Sequence, residues 1–157
     1  ALEVTLTTRV VVEMAPAWNV PADERGVVVT GPVALAVLGR SRFFRYEVRR
    51  WSGGEIPDRA WALATIHLEV EPGTAQALLQ RVAEVPPLTW GRAPAGTRDM
   101  WNSNSLISWL LTGCDLAKEI TPPPGTRAPG WEAGIAVARA EASGGAGTNA
   151  PTDTPGG

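Results

Sequence analysis

The chain has 157 residues, 44% of them hydrophobic and 19% charged, with a formal net charge of −2. About 150 residues bury roughly 70% of their unfolded surface, enough for one domain with its own core, and these residues leave no room for a multi-domain enzyme. No apolar run approaches the ~20 residues of a membrane-spanning helix, and the mild acidity is not the basic footprint of a nucleic-acid binder.

Two single residues exclude more. One cysteine, Cys114, precludes an intrachain disulfide. With one histidine, His67, the soft ligands total two, fewer than a structural zinc normally draws on. A structural zinc is therefore not expected; with no phosphate-cradling Gly loop, paired metal carboxylates or nucleotide fingerprint, neither is another metal or cofactor, and any imidazole base must be His67. Residues 1–12 lack the basic start and continuous apolar run of a signal peptide, so a cytoplasmic location is the default expectation. Thirteen of the basic side chains are Arg and only Lys118 is Lys, a lopsidedness that GC-rich coding produces.

In chain order, Val4, Leu6, Thr8, Val10 and Val12 alternate with more polar positions, and residues 9–14 form a β-branched run, so the chain opens as strand. A loop over residues 15–25 with Pro16, Trp18 and Pro21 precedes a short strand at 26–30. Residues 33–38 are an apolar run long enough for a buried strand. Residues 42–51 alternate, with Phe44, Tyr46 and Val48 on one face and Arg45, Glu47 and Arg49 on the other. The charged trio reads as a surface ion-pair ladder or, more sharply, as a carboxylate- or phosphate-binding patch. Ser52, Gly53 and Gly54 form a turn, and residues 65–70 read as one more strand.

Beyond that point the pattern turns helical. Thr74 is the expected N-cap of a helix with Leu78, Leu79, Val82 and Val85 on one face, stopped by Pro86 and Pro87. A loop over 88–100 carries Trp90, Gly91, Pro94 and Gly96. It leads into Trp101-Asn102-Ser103-Asn104-Ser105, followed by Leu106, Ile107, Trp109, Leu110 and Leu111 and closed by Gly113: a buried helix of about two turns. The prolines at 122–124 and a loop at 128–131 precede a weaker helical stretch over 131–142. Residues 143–157 contain no core-forming side chain and are expected to be disordered. Strands followed by helices predict a single α+β domain over 1–142, a mostly antiparallel sheet followed by packed helices.

The polar start of the buried helix is the most distinctive segment. Side chains there cap free N–H groups, and the positive end of the helix dipole also suits a nucleophile. Ser103 and Ser105 are therefore either capping or reacting hydroxyls. Asn-Ser-Asn-Ser running into Leu-Ile-Ser-Trp-Leu-Leu, with the upstream Arg45-Tyr46-Glu47-Val48 strand, resembles permuted papain-like hydrolases. More closely, it resembles a set of uncharacterised bacterial domains in which Asn-Ser-Asn-Ser or Asn-Ser-Asn-Thr replaces that family's Asn-Cys-Asn type of motif. The resemblance spans residues 31–131 and implies a permuted papain-like fold, with Ser103 between Asn102 and Asn104 where the nucleophilic Cys stands. It also implies a histidine near residues 31–36, where this chain has none, so the usual Cys/His pair is missing.

Three readings follow. In the first, the site is degenerate and only binds a small-molecule, peptide or protein ligand, through Asn102, Ser103 and Asn104, with Ser105, Trp101, Trp131 and Arg45 around it. In the second, Ser103 is the nucleophile and His67 the base of a serine-type amidase or acyl hydrolase, with Glu69 as orienter and Asp99 as a further member. In the third, the motif merely caps a helix in a structural or accessory module. Trp90, Trp101, Trp109 and Trp131 either pack the core or line a groove for an acyl, glycan or peptide ligand. Cys114 has no second Cys to pair with and reads as an unactivated thiol.

Overall fold

Among the described residues four antiparallel strands come first, and three α-helices follow whose side chains join a core on one face of the sheet. The computed structural model describes residues 1–17, 26–53, 56, 60, 65–120 and 124–145. The strands β1 (Leu2–Thr5), β2 (Arg9–Pro16), β3 (Val27–Pro32) and β4 (Arg45–Ser52) lie in the order β1-β2-β4-β3. Val4 stands opposite Val10, and Met14 opposite Val48. Opposed residues share a face, so Val4, Val12, Met14, Tyr46 and Val48 form one apolar surface. Onto it pack α1 (Pro72–Arg81) and α2 (Ser103–Gly113), with α3 (Trp131–Gly145) packed against α2. This is the α+β arrangement expected, and among the described residues no helix is long and apolar enough to cross a membrane.

The helices contribute Leu78, Leu106, Trp109, Leu110 and Ala138 to the same core. Fully burying one such large apolar side chain contributes about 1.5–3 kcal/mol. At its centre Tyr46 is completely buried and donates its hydroxyl to Leu88 O (2.7 Å), while Trp101 Nε1 donates to Tyr46 Oη (3.3 Å). The Trp90 ring lies 5.8 Å from that of Tyr46. One phenol thus ties the sheet to both ends of the 88–100 loop.

Several local expectations are corrected. Residues 33–38 are not a strand: Val33 makes an isolated bridge to Trp90, Ala34 takes a φ of 62°, and Ala36–Arg40 turns as a 3-10 helix. The left-handed residue ends the extended run and leaves Val37 76% exposed. A second 3-10 turn, Arg42–Phe44, delays β4 to Arg45 and turns Phe44 outward. Residues 65–70 join no strand ladder; Leu68 and Val70 meet the core, which satisfies their alternation without a strand partner. Thr74 lies inside α1, whose N-cap is Glu71, because Pro72 has the fixed φ that suits a first helical turn. Helix α2 has 11 residues, a turn more than expected, and α3 continues to Gly145, past residue 142. The remainder of the tail lies outside the described residues, as do Trp18, Pro21, Gly54, Pro122 and Pro123.

The charged face of β4 is corrected most sharply. Glu47 and Arg49 are each only 4% exposed. Arg49 bonds Glu47 Oε2 through Nε (3.1 Å) and Pro16 O through a terminal nitrogen (2.7 Å), and lies 3.6 Å from Glu13 Oε2. This is a buried ion pair, not a surface ladder, and removing one partner of such a pair costs about 3–5 kcal/mol.

Burial pushes the Tyr46 phenol from 10.0 to about 12, with the Trp101 hydrogen bond opposing in part. The unfolded chain therefore ionises first as pH rises: the stabilisation is whole below pH 10 and is lost on approach to about 12. Tyr46 is the chain's single tyrosine. The phenolate absorbance of the folded protein should accordingly titrate near 12, and near 10 once denatured; a folded-state midpoint near 10 would contradict this burial.

Candidate functional site: the start of helix α2

Helix α2 begins among buried residues, where its first N–H groups have no intrahelical acceptor. Asn102 is the N-cap. Its Oδ1 accepts from the N–H of Asn104 (2.8 Å) and of Ser105 (3.3 Å), while its own N–H donates to Ser105 Oγ (2.9 Å), which closes a capping box. The Ser105 hydroxyl is fully buried and lies 2.7 Å from Gly130 O and 3.1 Å from Met100 O, both acceptors for its single proton.

The same side chains reach across to the start of α3. Asn102 Nδ2 and Asn104 Nδ2 each donate to Pro129 O at 2.9 Å. In return Asp99 Oδ2 accepts from the N–H of Gly130 (2.8 Å) and Glu132 (3.2 Å), a carboxylate at the positive end of α3. Ser108 Oγ lies 2.7 Å from Trp131 O. Close approach makes glycine necessary here. Gly130 has a φ of 93° and a Cβ on it would run into the Asn102 amide, while one on Gly134 would strike the α2 backbone at Ser105.

Ser103 is the first residue of α2 and half-buried, and its hydroxyl makes no hydrogen bond among the described residues. His67 and Glu69 are exposed on the irregular 65–70 segment, and no hydrogen bond joins His67 to Ser103. Trp101 is fully buried under Tyr46, and Trp131 is half-buried against the core. Trp101 and Ser105 therefore offer no surface to a ligand, contrary to their expected place around a binding site. Arg45 lies apart, on the sheet. Burial pushes the Cys114 thiol upward, with nearby Arg81 opposing and Asp115 adding to the shift, so the thiolate that reactivity requires is disfavoured. Among the described residues no three His, Cys, Asp or Glu side chains gather as a metal site would require.

Clefts among the described residues lie elsewhere. One of about 360 Å³ lies between Arg50, Trp51, Gln76 and Gln80, and one of about 270 Å³ between Thr30, Pro32, Gly39, Arg40 and Arg45. A polar cluster that sequence spacing does not reveal closes the other end of α2. Arg81 stacks 3.8 Å from the Trp109 ring centroid and bonds Glu141 Oε2 (2.8 Å), which also accepts from Trp109 Nε1 (3.0 Å). Its members lie on three different helices, so no local motif marks it.

No family model, curated protein or solved structure matches the chain.

Replacing Asn102 removes two caps and one cross-link together. In urea denaturation Asn102→Ala should lose about 1–2 kcal/mol, and Ser103→Ala should stay within about 0.5 kcal/mol of the parent. Equal losses for the two variants would contradict the division of roles.

Proposed function

We propose that this domain is non-catalytic and acts by binding, with its Asn-Ser-Asn-Ser helix start serving as a structural lock within a permuted papain-like frame. One observation carries the reading. Apart from Ser103, the polar groups that a reactive helix start would turn towards a substrate are engaged inside the protein: the N–H groups of Asn104 and Ser105 with Asn102 Oδ1, and both asparagine amides with Pro129 O. An oxyanion arriving at α2 would have to displace the cap that holds α3 in place. Ser103 is the hydroxyl left over, and a serine nucleophile needs a base within about 2.6–3.2 Å, or one water away. The order of sheet first and polar helix start second suits the permuted arrangement of the hydrolases that the motif resembles. The ligand belongs to the small-molecule, peptide or protein classes.

Treatment with a fluorophosphonate probe tests this directly. Neither the parent nor Ser103→Ala should be labelled above a denatured control. Labelling of the parent that disappears in Ser103→Ala would overturn the proposal and establish a serine hydrolase.

A further inference from the structure

The free end of β3 carries features that the helix start does not use. This strand is at the edge of the sheet. Val33 N–H turns inward to Phe44 O (2.8 Å), whereas Pro32 O turns outward and accepts from Trp90 N–H (2.9 Å). Strand alternation then directs the N–H and C=O of Thr30 out of the same edge, and Thr30 is exposed. Such groups are a template for another strand.

Beside this edge lies the cleft of about 270 Å³ with Arg45 and Arg40 in its wall. Arg45 is half-buried, and its Nε is shut off from solvent with no hydrogen-bond partner among the described residues. Buried donors are nearly always paired, and one left unmet costs about 1–3 kcal/mol. Residues 26–46 contain three arginines and no Asp or Glu, in a chain whose net charge is −2. The adjoining turns expose Leu35 (46%), Val37 (76%), Phe43 (76%) and Phe44 (43%), half of the eight large apolar side chains exposed among the described residues. Just before the Val33–Trp90 bridge, edge groups of Thr30 with no partner among the described residues thus coincide with an unbonded guanidinium nitrogen and an apolar surface.

We propose that this edge docks an extended acidic peptide segment of a partner protein, one carboxylate of which enters the cleft to pair with Arg45 while its apolar side chains rest on Leu35, Val37, Phe43 and Phe44. The pairing is chemically specific, since a planar carboxylate matches the fork of a guanidinium. A strand-forming segment also meets the outward groups of Thr30, which a lipid surface cannot do. The inference deepens the binding reading and rests on it for the claim that the domain works by binding. The two fail separately, because probe labelling at Ser103 bears on the first and peptide titration on the second.

Titration of the isotope-labelled full chain with an acetylated peptide of alternating Glu and Val, followed by NMR, tests the proposal. Saturable shifts should centre on the amides of Thr30, Arg40 and Arg45, and the Gln/Val analogue should bind about tenfold more weakly, as loss of a charge-assisted hydrogen bond implies. Arg45→Gln should weaken binding by a similar factor, and the exposed changes Arg40→Gln and Phe43→Ser should each weaken it several-fold with the rest of the spectrum unchanged. Absence of saturable shifts, shifts centred elsewhere, or unchanged affinity in both arginine variants would overturn it. Binding to phosphatidylserine vesicles without peptide binding would assign the surface to a membrane. Concentration-dependent self-association through the same amides would assign it to a second copy of the chain.

Discussion

A helix that starts inside a protein must find acceptors for its first N–H groups, and most of the packing around α2 follows from how this chain meets that need. Asn102 supplies one oxygen to two of them, Ser105 closes the reciprocal bond, and the nitrogens left over on Asn102 and Asn104 reach Pro129. The cap of α2 therefore also fixes where α3 begins. Asp99 completes the exchange by capping α3 from the segment just before α2. Gly130 and Gly134 keep the two helix starts close enough for these bonds to form, since a side chain at either position would occupy the space the cap and the α2 backbone require. At the far end Arg81, Trp109 and Glu141 draw α1 into the same arrangement.

The sheet imposes the second constraint. Tyr46 and Glu47 are neighbours on β4, yet one serves the helical core and the other the buried ion pair on the opposite face. Tyr46 holds the 88–100 loop through Leu88 and Trp101, and so sets the point from which Asn102 departs. Position along one strand thus determines where the polar helix start can be built. The motif is an outcome of this frame as much as a feature of α2.

The large elements were legible because their hydrophobic periods are strong. Val10 to Met14, Tyr46 with Val48, and Leu106 to Leu111 each mark a buried surface that the structure contains. Periodicity alone does not discriminate in the shorter segments. An apolar run at 33–38 looks like a strand until Ala34 adopts a left-handed conformation, and 65–70 alternates without having a partner strand. Arg45, Glu47 and Arg49 look solvated in sequence, because alternation shows which residues share a face but not what covers it. The polar, capped helix start is legible in Asn102 to Ser105. Its partners at 129–132 are not, since bonds to backbone atoms about 25 residues away leave no spacing signal.

The most direct measurement of the lock is native-state amide hydrogen exchange at the two helix starts. If one cooperative unit holds them, the N–H groups of Asn104, Ser105, Gly130 and Glu132 will exchange with a common opening free energy, close to that of the α2 core, and Asn102→Ala will release all four together. Fast exchange of Gly130 and Glu132 while Asn104 and Ser105 stay protected, in the parent protein, would contradict the coupling of α2 to α3 and with it the structural role of the Asn-Ser-Asn-Ser start.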